Sequence, residues 1–203
     1  MINEILPIAL PIIITLVVAY LIGSIPTGYI VVKLLKGEDI RQIGSGSTGA
    51  TNVKRVLGKG WFFGVMFMDA LKGALPVLIA KQFDSSIGLL AVLAAVAVLI
   101  GHSKSIFLGF TGGKSVASGV GTILALCWQV GLVIAVVWSI ITYCTKYVSV
   151  GSIFALVISP ALMVIFNQPY AYVVYCALGA AYIVYLHREN IKRLVAGTEN
   201  KVR

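Results

Sequence analysis

Long apolar runs alternate along this chain with short polar segments rich in glycine. From Ile5 to Val32, 28 consecutive residues include no Asp, Glu, Lys or Arg, and Tyr147 to His187 extends the same pattern over 41. A helix needs roughly 20 apolar residues to cross a bilayer, so these runs are too long for ordinary core helices. Strict two-residue alternation is absent, which disfavours a membrane β-barrel. The pattern predicts spans near Leu6–Val32, Gly60–Ala80, Ser86–Ile100, Val116–Trp128, Gly131–Tyr143, Val148–Phe166 and Tyr170–Leu186, with a turn at Asn167-Gln168-Pro169. Ser115–Thr145 is 31 residues long and reads as one tilted helix or two short ones.

Charge decides between them. If Ser115–Thr145 crosses once, the tail with Arg188, Lys192, Arg193, Lys201 and Arg203 falls outside; if it folds back near Gln129, the tail joins the other basic loops inside. The positive-inside rule prefers the second arrangement. Lys33, Lys36, Arg41, Lys54, Arg55, Lys59, Lys104, Lys114, Lys146 and the tail then share the cytoplasmic side, leaving Lys81 outside. The expected fold is an all-α integral membrane protein of about seven transmembrane helices, some short, with cytoplasmic glycine-rich loops. Residues 1–203 form one polytopic domain, and no internal repeat is evident. Half-length helices are tolerated where they line a protein cavity.

Composition agrees: 59% of the 203 residues are hydrophobic and 11% charged, against about 25% charged in soluble domains. The net charge of +9 does not point to nucleic acid, because the cations sit in short loops between spans. It fits topology and attraction to anionic lipids or substrates. Met1-Ile2-Asn3-Glu4 lacks the basic start of a secretory signal, so the first span is expected to stay. Cys127, Cys144 and Cys176 lie in apolar runs without metal-ligand spacing and read as small buried hydrophobes. No metal or cofactor is implied.

Three cytoplasmic segments are too polar for mere connectors. In Gly44-Ser45-Gly46-Ser47-Thr48-Gly49-Ala50-Thr51-Asn52-Val53-Lys54-Arg55, small residues let backbone N–H groups approach an anion. A short interfacial helix follows, with Ala50, Val53, Val56 and Leu57 on one face, and its N-terminus near Thr48 would meet a phosphate. A flexible linker against lipid headgroups is the equal alternative.

The second segment runs Gly101-His102-Ser103-Lys104-Ser105, then Gly109-Phe110-Thr111-Gly112-Gly113-Lys114-Ser115. Its end is no ATP-type P-loop, since the glycine spacing is one residue short and no strand precedes it. A Gly-Gly-Lys turn entering a helix still suits phosphate, with Lys114 supplying charge; close helix packing with a snorkelling lysine is the other reading. In the third segment, His187-Arg188-Glu189-Asn190, His187 and Asn190 share a helical face. They form either a polar pair aimed into a cavity or an ordinary hydrated helix end. Asp69 and Lys72, three apart inside the second span, are expected to form a structural intramembrane ion pair.

These motifs, in this order over essentially the whole chain, resemble the PlsY family of bacterial acyl-phosphate:glycerol-3-phosphate acyltransferases. The resemblance implies transfer of a fatty acyl group from acyl phosphate to the sn-1 hydroxyl of glycerol 3-phosphate, giving lysophosphatidic acid and phosphate. It implies seven spans in the bacterial inner membrane, with the N-terminus outside and the active site and C-terminus cytoplasmic. The partners would be the two substrates and membrane lipids, without nucleic acid. Carried over by motif position, Ser45, Arg55, Lys114, His187 and Asn190 are the catalytic set. Gly44, Gly46, Thr48, Asn52, His102, Gly112 and Gly113 are the phosphate-binding set. Arg55 and Lys114 would face phosphate charge, and Ser45 and Asn190 would orient phosphate or the reacting carbonyl. His187 or a substrate phosphate would take the proton, with substrate assistance favoured.

The chain departs from the family at Ser47, commonly Asn, at Thr111, commonly Lys, and at Ser115, commonly Gly. Ser103-Lys104-Ser105 also follows Gly-His where a proline often stands; Lys104 is a candidate to replace the charge missing at Thr111. An acyl-CoA enzyme is disfavoured because no His-x4-Asp motif is present. A transporter for glycerol phosphate or phosphate remains the rival class, though related halves with matched broken helices are not seen.

Overall fold

The computed structural model describes residues 2–84 and 88–202, and for residues 2–8 only the course of the backbone. The helices are α1 (Ile2–Ser24), α2 (Thr27–Lys36), α3 (Ala50–Leu57), α4 (Lys59–Lys81), α5 (Leu89–Ser103), α6 (Val116–Leu126), α7 (Trp128–Thr145), α8 (Val148–Val157), α9 (Ser159–Ile165), α10 (Tyr170–Leu186) and α11 (Arg188–Val195). Among the described residues the only β-type pairing recorded is an isolated bridge between Ser105 and Thr111. Ser86, the expected start of the third span, lies outside the described residues.

Among the described residues, four stretches are long and apolar enough to cross a membrane: Ala9–Lys36, Lys59–Lys81, Trp128–Thr145 and Val148–Ile165. Tyr170–Leu186 and Arg188–Val195 form a fifth candidate bent by 59°, and α5 and α6 are shorter apolar helices. That set is compatible with about seven spans. The expected fold-back appears as a break between α6 and α7, where Cys127 is extended at φ −147° and ψ 104°.

The first expected span is not one helix. Pro26 has no N–H to donate and biases Ile25 away from helical geometry, so α1 ends at Ser24 and α2 begins at Thr27. A break at membrane depth must have its freed carbonyls satisfied. Lys72 Nζ donates to Ile25 O at 2.6 Å, and Ser105 Oγ to Ser24 O at 2.6 Å. Pro160 similarly divides the expected Val148–Phe166 span into α8 and α9.

The described residues cluster in two compact units, one up to Thr122 and one from Ile123 onward. In the first, α1 and α4 pack on α5, and α3 packs on α4. The buried face of α5 is rich in alanine, with Ala91, Ala94, Ala95 and Ala97 beside Val98 and Leu99. Gly73 and Gly121 let α4 and α6 approach closely, since a Cβ on either would strike the other helix's backbone. Large apolar side chains instead point outward, among them Ile13, Ile14, Phe63 and Phe67. Small residues inside and large ones outside is the arrangement that lipid permits and water penalises.

In the second unit, α8 packs on α7, and α10 packs on α8 and α9. The same division recurs there, with Leu132, Val136 and Ile140 exposed and Ser149, Ser152 and Ser159 buried. Cys127 and Cys176 are buried as expected, but Cys144 is exposed.

Candidate active site

In the first unit, the chain between α2 and α3 is a loop held from within. Gly37 ends α2 in the left-handed region at φ 71°. Asp39 then accepts the backbone N–H of Arg41 at 2.9 Å and the Arg41 guanidinium at 2.6–3.1 Å. The hydrogen bonds from Arg41 hold the Asp39 carboxyl below its usual range, against the opposing effect of burial. Arg41 also lies over the Tyr29 ring, 5.4 Å from its centroid, and reaches Leu108 O at 3.4 Å.

Asn52 is the hub of this loop. It is 1% exposed, and its amide donates to Ile43 O at 2.8 Å, Ser47 O at 3.0 Å and Ile40 O at 3.3 Å. Its Oδ1 accepts the Ser45 N–H at 3.1 Å. With donors and acceptor engaged inside the protein, Asn52 shapes the loop. A Cβ on Gly44 would collide with Asn52 Oδ1 and lie 3.6 Å from Arg55 Cδ. Gly44, Asn52 and Arg55 are therefore brought together, with Ser45 and Arg55 exposed at the surface. Gly46 turns the chain at φ 68°, and Thr48 is buried with its carbonyl against Gly28. The Ser47 hydroxyl accepts the Gly49 N–H at 3.3 Å, so the serine that replaces the usual Asn still serves the turn.

The second loop leaves α5 at Ser103 and returns to α6 at Val116. Ser105 N donates to Thr111 O at 3.2 Å and Gly113 N to His102 O at 3.1 Å, closing it at the base. Hydroxyls tie it to the helices: Tyr20 of α1 to Lys104 O at 2.8 Å and Ser115 of the loop to Leu99 O of α5 at 2.8 Å. Thr111 donates to Leu108 O at 2.8 Å. Ser115 adopts φ 56°, a left-handed conformation in which glycine is at ease and serine is strained.

His102 is enclosed as well. It is 7% exposed, with Nδ1 2.9 Å from Ser118 Oγ, and its Nε2 occupies the space a Cβ on Gly113 would take. It lies beneath the loop. Gly112, Thr111 and Gly46 border a cavity of about 330 Å³ that Asp39, Arg41 and Gln42 also line. Lys114 is half-buried at the entry to α6.

His187 and Asn190 belong to the second unit. His187 forms the elbow between α10 and α11, with Nδ1 2.8 Å from Ile183 O. A carbonyl only accepts, so Nδ1 carries the proton there and Nε2 is the basic nitrogen of the neutral ring. Asn190 Nδ2 donates to Glu199 Oε1 at 2.6 Å. Glu199 further accepts from Ser149 Oγ at 2.9 Å and Arg193 Nε at 2.7 Å. Burial alone would push the Glu199 carboxyl up, but the bonds from Asn190, Arg193 and Ser149 outweigh it and hold it below its usual value.

Sequence reasoning missed Asp39, Arg41, Ser118 and Glu199. The first two carried a signal, since Asp two residues before Arg at a loop entrance is an Asx-turn pattern. Glu199 carried none, being one of two acids in a basic tail.

A family model described as glycerol-3-phosphate acyltransferase matches residues 13–197. A protein of Trichormus variabilis named glycerol-3-phosphate acyltransferase is 48% identical, covering 92% of this chain and 89% of its own length. One from Moorella thermoacetica, glycerol-3-phosphate acyltransferase 2, is 44% identical over 92% of this chain and 95% of its own. The crystal structure of PlsY (YgiH), an integral membrane glycerol 3-phosphate acyltransferase, in its glycerol 3-phosphate form superposes with a TM-score of 0.91 at 38% identity, covering 95% of this chain and 96% of that one. Its lysophosphatidic acid form gives 0.88 at 35% identity, with 95% of each covered.

Proposed function

The chain belongs to the glycerol-3-phosphate acyltransferase family, and from that premise we infer how its residues perform the transfer and from which donor. It is an integral membrane acyltransferase that esterifies glycerol 3-phosphate to lysophosphatidic acid. The donor is acyl phosphate. The hydroxyl oxygen of glycerol 3-phosphate attacks the acyl carbonyl carbon, the bond from that carbon to the phosphate oxygen breaks, and phosphate leaves. Catalysis of this kind rests on positioning and charge stabilisation, which suits a site built of backbone donors, hydroxyls and cations.

The observation that carries the reading is the Gly112-Gly113-Lys114 turn, closed at its base by Gly113 N–H to His102 O at 3.1 Å and entering α6. Such a turn presents backbone donors and a cation to a phosphate. Arg55 beside the Gly44–Ser45 turn supplies a second cation, and the backbones of Gly44, Gly46, Thr48 and Gly112 offer further contacts. Ser45 and Asn190 orient the phosphate or the carbonyl. The proton leaves the attacking hydroxyl for the substrate's own phosphate, whose second pKa lies near 6, or for His187 Nε2; substrate assistance is favoured. The chain acts as one polytopic domain of residues 1–203 among the lipids of the bacterial inner membrane. The positive-inside rule favours an N-terminus outside and a C-terminus and site in the cytoplasm.

Purified protein given glycerol 3-phosphate with palmitoyl phosphate or, separately, palmitoyl-CoA tests this. Lysophosphatidic acid and phosphate from acyl phosphate alone, lost in Lys114→Ala, is the expected result. Turnover of the thioester would overturn the donor assignment. Binding of glycerol 3-phosphate without product from either donor would favour a transporter.

A further inference from the structure

A buried polar cluster in the first unit lies under the phosphate loop and is not used by the reaction as described. Asp69 and Lys72 sit on α4 with side chains 3% and 8% exposed, their Oδ1 and Nζ 2.8 Å apart. The same Oδ1 is 3.8 Å from His102 Nδ1, and Ser118 Oγ on α6 is 2.9 Å from that nitrogen. On the far side of the ring, Nε2 fills the space left by the missing side chain of Gly113. The cluster therefore runs from the broken first span, where Lys72 holds Ile25 O at 2.6 Å, through the ion pair and imidazole to the loop glycine.

We propose that Asp69 and Ser118 are positioning residues, which act through the His102 ring to set the backbone of Gly112-Gly113-Lys114. An ion pair retained only for stability is poorly explained, because buried pairs return little net stability against an apolar replacement of similar volume. Orientation explains it better. An imidazole is a flat ring that can rotate about its side-chain bonds, and each rotation would move the surface on which Gly113 rests. Ser118 fixes one nitrogen by a hydrogen bond, and the carboxylate biases the proton on the same nitrogen. Lys72, shared between the carboxylate and the Ile25 carbonyl, keeps that carboxylate in place. Glycine at position 113 is required on this account because the ring has taken the room for a Cβ.

The inference rests on the phosphate-loop reading above, and its test separates the two. Ser118→Ala removes one hydrogen bond and no charge. Asp69→Asn with Lys72→Met removes the carboxylate without leaving a buried unpaired cation. Each full-length variant, in nanodiscs, is measured for Tm, for kcat and KM with palmitoyl phosphate and glycerol 3-phosphate, and for amide exchange across residues 109–116. The expected result is a fall in kcat of tenfold or more with faster exchange in that segment and a Tm within a few degrees of wild type. Wild-type exchange over 109–116 in folded Ser118→Ala overturns the proposal, as does a fall in Tm with kcat retained. Should the paired variant not fold, Ser118→Ala decides alone. A wild type that makes no lysophosphatidic acid would sink the reaction assignment, while the exchange measurement would still judge the role of Ser118.

Discussion

Replacing Asn52 separates two roles that one residue type can fill in a glycine-rich loop. As a phosphate ligand, Asn52 would act on substrate and leave the empty loop unchanged when removed. As the loop's hub, it would hold residues 40–52 together before any substrate arrives. Two of its donor contacts, at 2.8 and 3.0 Å, are of full strength, and the third at 3.3 Å is marginal. The Ser45 N–H it accepts at 3.1 Å sits at the surface, where water can replace it. With roughly 1 kcal/mol net for each good bond, and some desolvation for the carbonyls left behind, Asn52→Ala lowers the loop's opening free energy by about 3 kcal/mol. At about 1.4 kcal/mol per decade, the amides of Gly46, Asn52 and Val53 then exchange roughly a hundredfold faster. Tm falls less than that free energy suggests, since a loop opens locally. Asn52→Asp, though the same size, is no milder: it turns an oxygen toward carbonyls that need a donor. Hydrogen exchange with mass spectrometry on the substrate-free protein reads this directly. Lost activity in Asn52→Ala with wild-type exchange over 40–55 would refute the hub and return Asn52 to the phosphate.

Ser115 inverts the usual rule for helix-adjacent positions: Ser115→Gly relieves a left-handed backbone worth about 1–2 kcal/mol while losing one hydrogen bond. Ser115→Ala loses the bond and keeps the strain. Leu99 O retains the Ser103 hydroxyl at 2.9 Å in both, so Gly is expected to be the more stable by about 1 kcal/mol in denaturant titration; a more stable Ala variant counts against it. Glu199 titrates below its ordinary value of 4.5 when folded, so its contribution is complete above that value and is lost as pH falls through the folded pKa. Glu199→Gln should lower Tm by several degrees at pH 7 and converge with wild type in acid, and parallel curves down to pH 3 would exclude the linkage. Gly113→Ala, whose Cβ collides with His102, should cut kcat at least tenfold in folded protein, checked by the phosphate-release assay. Lys104→Ala should lower activity if Lys104 replaces the charge missing at Thr111, and full activity would remove it from the site.

The apolar runs made the membrane class, the helical content and the break near Gln129 readable, because bilayer thickness and charge placement act on long windows of sequence. The two proline breaks were present in the sequence as well, but a run without charges masks them: Leu6–Val32 is apolar on both sides of Pro26. The loops were found because glycine and serine accumulate where backbone must turn. What could not be read was the direction of single side chains inside those loops. Asn52 and His102 are polar residues within phosphate-like motifs, and spacing alone cannot tell whether an amide or imidazole faces outward to substrate or inward to carbonyls. The i, i+3 spacing revealed Asp69 with Lys72, but their further partners, His102 and Ile25 O, are separated from them by 30 residues or more of chain.

The two loops of the first unit share a logic that explains why those inward residues are polar. Glycines suit an anion site because their backbone can come close and turn freely, yet each loses more conformational freedom on ordering than any other residue. A loop with Gly44, Gly46 and Gly49, or with Gly109, Gly112 and Gly113, would be a poor phosphate cradle if left to order on substrate binding. Something must fix it beforehand, and an apolar core cannot, since a turn of backbone presents carbonyls and amides rather than side chains. A buried residue carrying donors and acceptors can grip such a surface. Asn52 does this with its amide for the first loop; for the second, the His102 backbone carbonyl accepts the Gly113 N–H and the His102 ring packs where a Gly113 side chain would stand, while Arg55 and Lys114 supply charge. Division of labour between neutral buried grips and a cation at the surface then makes a distinct demand: variants of the grips should disturb the empty loops, and variants of Arg55 should leave the first loop intact and weaken only what it holds.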